Sequence, residues 1–284
     1  MPWTLTRSLD TFAETVGDLL GADPVRHTVP LTLLAVLRAT GASAISDEPA
    51  RYGWHAGDSG QVDGAFFQTP PFPLSVTALP AGSASALIRL LAEDGGLPDA
   101  ANVSSDDAAA FSAAWVGATG GGTTVAQRQR LHRLGRLVPP DPAPPGAARV
   151  AGPDDRELLV EWSTAFDREA HTRARDNERT VDDRLSHAGL TLWESGGQPV
   201  AMAGRTRDAA GVVRVAGVYT PPAHRQRGYG AGVTAAVTQA ALDAGASAVV
   251  LFTDLANPTS NAIYQRLGYR QVEDRVLLDL HLPG

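Results

Sequence analysis

The sequence of 284 residues contains no cysteine and no lysine. Without cysteine the chain has no disulfide, thiol nucleophile or cysteine metal ligand, and without lysine it has no amine for Schiff-base chemistry. All 24 basic residues are therefore arginine, and with 31 acidic residues the formal net charge is −7. This balance does not indicate a nucleic-acid partner.

Long apolar runs are also missing. No run reaches the length of a membrane span, and the first residues lack the apolar core and small-residue cleavage site of a signal peptide. We therefore expect a cytoplasmic protein without a membrane partner. The length suggests one large or two ordinary domains.

Several motifs of catalysis and nucleotide binding are absent. A P-loop needs a lysine, and the dinucleotide fingerprint fails because Val233 occupies the third glycine position counted from Gly228. The chain has neither an H-E-x-x-H nor a G-x-S-x-G motif, and no two histidines are spaced i,i+4. We therefore expect no metal and no esterase of the nucleophile-elbow type.

The stretch from Val212 to Tyr269 carries the clearest pattern. A valine-rich run, Val212 to Tyr219, predicts a strand, which the following prolines close. Next comes the turn Arg225-Gln226-Arg227-Gly228-Tyr229-Gly230-Ala231, followed by apolar residues at helical spacing until Gly245. A glycine-rich turn that opens a helix can bind phosphate, because its backbone approaches closely and its free N–H groups favour an anion. A tight turn without a ligand is the simpler alternative.

This turn follows the pattern Arg or Gln, two residues, Gly, any residue, Gly or Ala. That pattern resembles the pyrophosphate-binding turn of the GNAT acetyltransferases. One βα unit later, a predicted strand from Ala246 to Phe252 is followed by residues that are similar to the second half of the same family's acetyl-CoA site: Asn257, Ser260, Asn261, Tyr264 and Leu267-Gly268-Tyr269.

The resemblance implies acetyl-CoA as co-substrate and direct acyl transfer from its thioester to an amine of a small molecule or peptide. Tyr264 matches the tyrosine that donates a proton to the leaving sulfur, and its ordinary pKa near ~10 keeps the phenol protonated. The backbone of residues 218–220 matches the strand that pairs with the pantetheine arm. The implied cofactor-binding residues are Val218, Tyr219, Thr220, Arg225, Gln226, Arg227, Gly228, Tyr229, Gly230, Ala231, Asn257, Ser260, Asn261 and Tyr264.

Some members of the family use a glutamate on the strand before the glycine turn as the general base. The segment from Val212 to Thr220 contains no carboxylate, so this chain departs from that pattern. Glu194, at the end of a predicted strand, is the carboxylate that we name beside Tyr264 as catalytic. The other candidates are Glu161, Glu169, His171, His224 and water. The local alternatives also stay open: Asn257 with Pro258 is a helix N-cap signature, and Tyr264 could be a core aromatic residue.

A proline-rich segment, residues 138–146, has five prolines in nine residues and predicts a spacer. It separates residues 1–137 from an acetyl-CoA-binding domain at 147–284. In both halves, helices are followed by a strand meander, a helix and a closing strand, for example the helix Thr28 to Thr40 and the strand Leu74 to Ala78. We therefore predict an α/β (α+β) fold of tandem GNAT-like modules, each with a mixed, mainly antiparallel sheet flanked by helices.

The first half resembles a degenerate copy. Its region from Ala78 to Ala84 has Pro80 and Gly82 without the arginines, so we expect no pyrophosphate there; an unrelated domain is the alternative. We expect a monomer or homodimer that acts as an N-acetyltransferase. Two other readings remain: an acyl-CoA-binding sensor without turnover, favoured by the missing strand carboxylate, and a first half that recruits a partner protein.

Overall fold

The computed structural model describes residues 3–41, 48–170 and 176–283. The chain divides into two compact units: the first is Met1–Leu131, Asp254–Ala256 and Glu273–Gly284, and the second is His132–Thr253 and Asn257–Val272. This division by packing differs from the predicted boundary at the C-terminus, where Glu273–Gly284 belongs to the first unit. It also places the proline-rich segment in the second unit.

The first unit has its strands in the order β1-β2-β3-β4-β5-β12. All of these pairs are antiparallel except β4 with β5. The bounds of its strands and helices are β1 Trp3–Thr6, α1 Leu9–Thr15, α2 Gly17–Ala22, α3 Thr28–Thr40, β2 Arg51–Ala56, β3 Val62–Gln68, β4 Leu74–Ala78, α4 Ala84–Glu93, β5 Ala100–Ser104, α5 Ala108–Thr119, β6 Gly122–Leu134, which ends in the second unit, and β12 Tyr269–His281, which begins there.

The C-terminal strand explains the different division. In β12, residues Arg275 to Asp279 pair with Ser104 to Ala100 of β5, so the backbone of the chain's last strand completes the first sheet. Apolar side chains in the second half of this strand, including Val276 and Leu278, are buried in the hydrophobic core of the first unit. The sequence reasoning placed these residues with the second half because they follow it in the chain.

The second unit has the strand order β11-β10-β9-β8-β7. The pair of β10 and β11 is parallel and the others are antiparallel. Its bounds are β7 Ala147–Val150, α6 Arg156–Glu169, α7 Asn177–Ser186, β8 Leu190–Ser195, β9 Gln198–Arg205, β10 Val212–Tyr219, α8 Tyr229–Asp243, β11 Ala248–Asp254, whose last residue lies in the first unit, and α9 Pro258–Arg266.

Two cores cover the two faces of this second sheet. On one face Val213 and Val215 pack with Val233 and Val237 of α8. On the other face Met202 packs with residues of α6 and α7, including Leu159 and Val181. Alternation along the strands produces this separation, because successive side chains point to opposite faces. The mixed, mainly antiparallel sheet with flanking helices confirms the predicted fold class.

The proline-rich segment contains neither helix nor strand between residues 135 and 146, as its composition predicts. It nevertheless packs on the second unit. The side chain of Pro144 is buried beside the start of α8, and the indole of Trp193 donates a hydrogen bond of 2.9 Å to the carbonyl of Pro145.

Candidate active site

Strands β10 and β11 separate at their C-terminal ends. Their parallel register runs from Val212 opposite Ala248 to Val215 opposite Leu251, whereas β10 continues to Tyr219. Beyond Val215 the described register of this pair ends, so the backbone of β10 there presents an edge on the β11 side. An extended group can pair with such an edge as an added strand.

A β-bulge marks the same part of β10. Ala216 lies opposite Gly204 and Tyr219 lies opposite Met202, so Gly217 and Val218 are two residues where β9 has one. Gly217 has φ +68°, a left-handed conformation that a residue with a Cβ adopts only at a cost. The bulge therefore redirects the strand where the gap to β11 opens.

The turn that follows β10 exposes backbone N–H groups. Gly228 is the N-cap of α8 with φ +81°, and Gln226 also has a left-handed φ of +62°. Within α8 the first N–H with an intrahelical partner is that of Gly232, which donates to the carbonyl of Gly228 at 3.0 Å. The N–H groups of residues 228–231 thus form the open end of the helix, where the dipole favours an anion.

Arg225 does not simply extend into solvent. Its Nε donates to the carbonyl of Thr220 at 2.9 Å, and its Nη2 forms an ion pair with Glu169 at the end of α6. The phenol of Tyr219 donates to the other oxygen of the same carboxylate at 3.0 Å. Burial alone would raise the pKa of Glu169, but the hydrogen bonds from Arg225 and Tyr219 outweigh it and hold this pKa below its ordinary value.

Tyr264 lies on α9 within the core that also contains Val215 and Leu251, the last paired residues of the two strands. Its side chain is 8% exposed, and its ring makes an edge contact with Tyr269 at 6.1 Å between centroids. Burial raises the pKa of Tyr264 to about 12. The phenol therefore stays protonated at neutral pH, and among the described residues its hydroxyl has no hydrogen-bond partner.

Comparison with known proteins fits this geometry. Residues 156–269 match the family model described as the acetyltransferase (GNAT) family. This segment, called the GNAT domain below, is similar to that family and contains 114 of the 284 residues. The match begins at the start of α6 and ends with the first residue of β12, so it contains the strand gap, the bulge, the turn and Tyr264.

Solved structures extend the likeness of fold beyond this GNAT domain. A GCN5-related N-acetyltransferase from Kribbella flavida is 22% identical, with a TM-score of 0.57 over 89% of this chain and 96% of its own. A Drosophila protein is 13% identical, with a TM-score of 0.70 over 99% of this chain and 98% of its own. A GNAT-family acetyltransferase from Colwellia psychrerythraea is 12% identical, with a TM-score of 0.60 over the full length of both chains. No curated protein sequence matches the chain.

These neighbours cover the first unit as well, which is therefore also GNAT-like in fold. Its helix α4 connects the parallel strands β4 and β5, as α8 connects β10 and β11, but the start of α4 is arranged differently. Ser83 is buried, its Oγ donates to the carbonyl of Pro80 at 2.7 Å, and its own carbonyl accepts from the indole of Trp3. No helix in the described ranges is long and apolar enough to cross a membrane.

The asparagines of the GNAT domain hold the turn between β11 and α9. The side-chain oxygen of Asn257 accepts from the backbone N–H of Ser260 at 3.0 Å, as an N-cap does. Asn261 donates to the carbonyl of Asn257 at 2.8 Å and accepts from the hydroxyl of Thr253 at 2.7 Å. These contacts position α9, and with it Tyr264, at the end of β11.

Glu194 lies elsewhere in the domain. Its carboxylate accepts from Nε of Arg149 at 2.7 Å, and Arg149 forms a two-point pair with Asp155. Glu194 is the last residue but one of β8, and β9 separates this strand from β10, a distance of about 10 Å at the usual strand spacing. The structure therefore does not bring Glu194 together with Tyr264.

Of the other base candidates, Glu161 is exposed on α6 and Glu169 is held by Arg225 and Tyr219. The Nδ1 atom of His224 is buried without a hydrogen-bond partner in the part of the chain that is described. His171 lies outside the described residues. Sequence reasoning missed Gly217, although a lone glycine in a valine-rich strand is a recognised sign of a bulge.

Proposed function

We propose that this protein transfers the acetyl group of acetyl-CoA to an amine. The observation that carries the proposal is the open end of α8, whose free N–H groups adjoin the unpaired edge of β10. In this proposal the N–H groups of residues 228–231 bind the pyrophosphate, and Arg227, which is exposed in the turn, adds positive charge. Val218 and its neighbours pair with the pantetheine amides along the strand edge.

The reaction needs no protein nucleophile. The amine nitrogen attacks the thioester carbonyl carbon, a C–N bond forms, and the C–S bond breaks. The departing sulfur takes the proton of the Tyr264 phenol, which is then restored from solvent, and the amine releases its own proton to water. Tyr264 suits this role because its pKa of about 12 keeps the phenol protonated at neutral pH, so that its hydroxyl can donate to the sulfur as negative charge develops there.

The first unit has a different part in this proposal. The start of α4 holds Ser83 and Trp3 in contacts within the protein, and the sequence there lacks the arginines of the working turn. These features support one cofactor site for the chain, in the GNAT domain. We propose residues 1–137 as the module without acetyl-CoA, beside residues 147–284, which contain the site.

Two measurements test the proposal. Acetyl-CoA at 100 times its dissociation constant should stabilise the protein by about 2.7 kcal/mol, seen as a rise in melting temperature. Because the chain has no cysteine, a thiol reagent then reports released coenzyme A directly while amines are screened. If acetyl-CoA stabilises the protein but no amine causes release of its thiol, the alternative of an acyl-CoA sensor is favoured. The absence of a carboxylate in β10 is the observation that supports this alternative.

A further inference from the structure

The guanidinium of Arg184 lies over two glycines of neighbouring strands. Its Nη1 atom is 2.7 Å from the point that a Cβ on Gly204 would occupy, and 3.0 Å from the corresponding point on Gly217. A side chain at either position would push the guanidinium away from the sheet. Arg184 extends from α7, so the missing Cβ atoms of β9 and β10 provide the space in which this helix places a positive charge on the sheet.

This position adjoins the bulge, on the sheet face opposite α8. Gly204 is two residues after Met202 on β9, and Met202 packs with the core of α6 and α7. Since residues i and i+2 of a strand share a face, Arg184 approaches from that side. Gly217 belongs to the bulge itself, so the guanidinium lies beside the point where β10 leaves β11.

A second arginine of β10 lies on this face. Val213 and Val215 pack against the α8 core, so Arg214 between them projects to the opposite side, two residues before Ala216. Its Nη1 atom is buried and has no hydrogen-bond partner within the described ranges. Burial lowers the pKa of Arg214 to about 10, which leaves it charged at neutral pH.

A buried guanidinium group normally has a carboxylate partner, because an unpaired charge inside a protein is strongly unfavourable. None of the ion pairs in the described part of the chain includes Arg214. The arginine would gain most from an anion that arrives with a ligand. The phosphates of the proposed co-substrate do not meet this need, since their site is the end of α8 on the other face.

We propose that Arg184 and Arg214 bind a carboxylate of the acceptor, so that the substrates are amines that carry a carboxylate, such as amino acids. The planar guanidinium forks match a carboxylate in a two-point geometry that lysine could not supply. The gap between β10 and β11, beside the bulge of β10, would then lie next to the amine, where the thioester is presented. This inference rests on the proposed acetyl transfer for its choice of ligand.

The test compares amino acids with their amides, which differ only in the carboxylate. With the full chain and acetyl-CoA, each amino acid of a panel is assayed beside its amide by thiol release. We expect kcat/KM to favour the acid by at least about tenfold, the scale of a charge-assisted pair, although the less basic amine of the amide favours the amide. In Arg184→Gln and Arg214→Gln this preference should fall towards one, while stabilisation by acetyl-CoA is kept.

Arg205→Gln is the matched control. Arg205 follows Gly204 on β9 and lies opposite Val215, so its side chain is on the face of α8, and the preference should be unchanged. Arg214→Lys should recover part of the preference through charge. A wild-type enzyme that uses amides as well as acids, or acts only on amines without a carboxylate, overturns the proposal.

Calorimetry of the same acids and amides, without acetyl-CoA, separates this idea from the proposed function. If acetyl-CoA gives no thermal stabilisation or no amine is acetylated, the proposed function fails. Calorimetry still tests the carboxylate site in that case, because amino acids that bind the wild type but not Arg184→Gln would support it. Equal binding of acids and amides, or no binding of either, rejects it.

Discussion

Arg225 and Glu169 form an ion pair that joins the turn before α8 to the C-terminal end of α6. The side chains are 43% and 38% exposed, and the same carboxylate also accepts from Tyr219. The guanidinium of Arg225 lies 5.9 Å from the centre of the Tyr219 ring. These contacts hold the start of the proposed phosphate site against a helix on the other side of β10.

Glu169→Gln should therefore lower the free energy of unfolding at neutral pH, by about 0.5 kcal/mol for a pair this exposed. The pKa of Glu169 in the folded protein lies below its ordinary value of 4.5, so its contribution to stability is fully present above pH 4.5 and is lost as the pH falls through the folded-state pKa. Urea unfolding of both proteins across this range should show their difference shrinking in acid. The control is Glu161→Gln, an exposed carboxylate of the same helix, which should show no such trend.

Gly228 permits a charge test of the phosphate site. Aspartate and asparagine tolerate a left-handed conformation better than other residues with a Cβ, so Gly228→Asp and Gly228→Asn should both fold. The aspartate places a negative charge where the pyrophosphate would bind, and we expect it to abolish the thermal stabilisation by acetyl-CoA. The asparagine has the same shape without the charge and should keep much of it. Equal stabilisation of the wild type and Gly228→Asp would contradict the site.

Gly230 and Gly232 have the same chemistry and different surroundings. A Cβ on Gly230 would meet only Thr220 Oγ1, at 3.4 Å, whereas on Gly232 it would lie 2.8 Å from Pro144 Cγ and 3.1 Å from the Trp193 ring. Gly230→Ala should be as stable as the wild type or more so, since alanine favours helix by about 1 kcal/mol, but should bind acetyl-CoA more weakly. Gly232→Ala should lose about 1–3 kcal/mol through overpacking, measured by thermal unfolding. Similar stability losses in both variants would argue against this distinction.

The turn at Arg225 to Gly230 was predictable because its signals are local: two prolines end a strand, and glycines open a helix. The family model confirms the resemblance over residues 156–269, and the structural neighbours share the fold. Asn257 could likewise be recognised as a cap from Pro258 beside it, and the structure shows that contact. Such features depend on residues a few positions apart.

Features that depend on distant residues were not accessible in this way. Glu194 looked like a candidate base because it ends a strand, but its partner Arg149 is 45 positions away on an edge strand. The position of the Arg184 guanidinium depends on glycines in two strands, β9 and β10, and no periodicity in the sequence indicates this contact. The pairing of β12 with β5 joins residues about 170 positions apart, so the order of elements along the chain does not indicate it.

Phenylalanine variants of Tyr264 and Tyr269 distinguish a catalytic phenol from a structural one. Tyr264→Phe removes a hydroxyl that has no hydrogen-bond partner among the described residues, so stability and stabilisation by acetyl-CoA should be unchanged, while kcat should fall on the order of 100-fold. Tyr269→Phe instead removes a hydrogen bond of 2.7 Å with buried Thr238 and should cost about 1 kcal/mol of stability with kcat preserved.

The pH dependence adds a second criterion for Tyr264. Because burial raises its pKa to about 12, a wild-type enzyme that uses this phenol as the acid should show no loss of kcat from its ionisation between pH 7 and about 10. Rate profiles of acetyl transfer over this range, with thiol release as the readout, test the point. A basic limb in kcat near pH 8 that persists in Tyr264→Phe would assign the acid to another group. Unchanged kcat in Tyr264→Phe would leave protonation of the sulfur to water, since the phenol would then serve only to pack the core between β10 and β11.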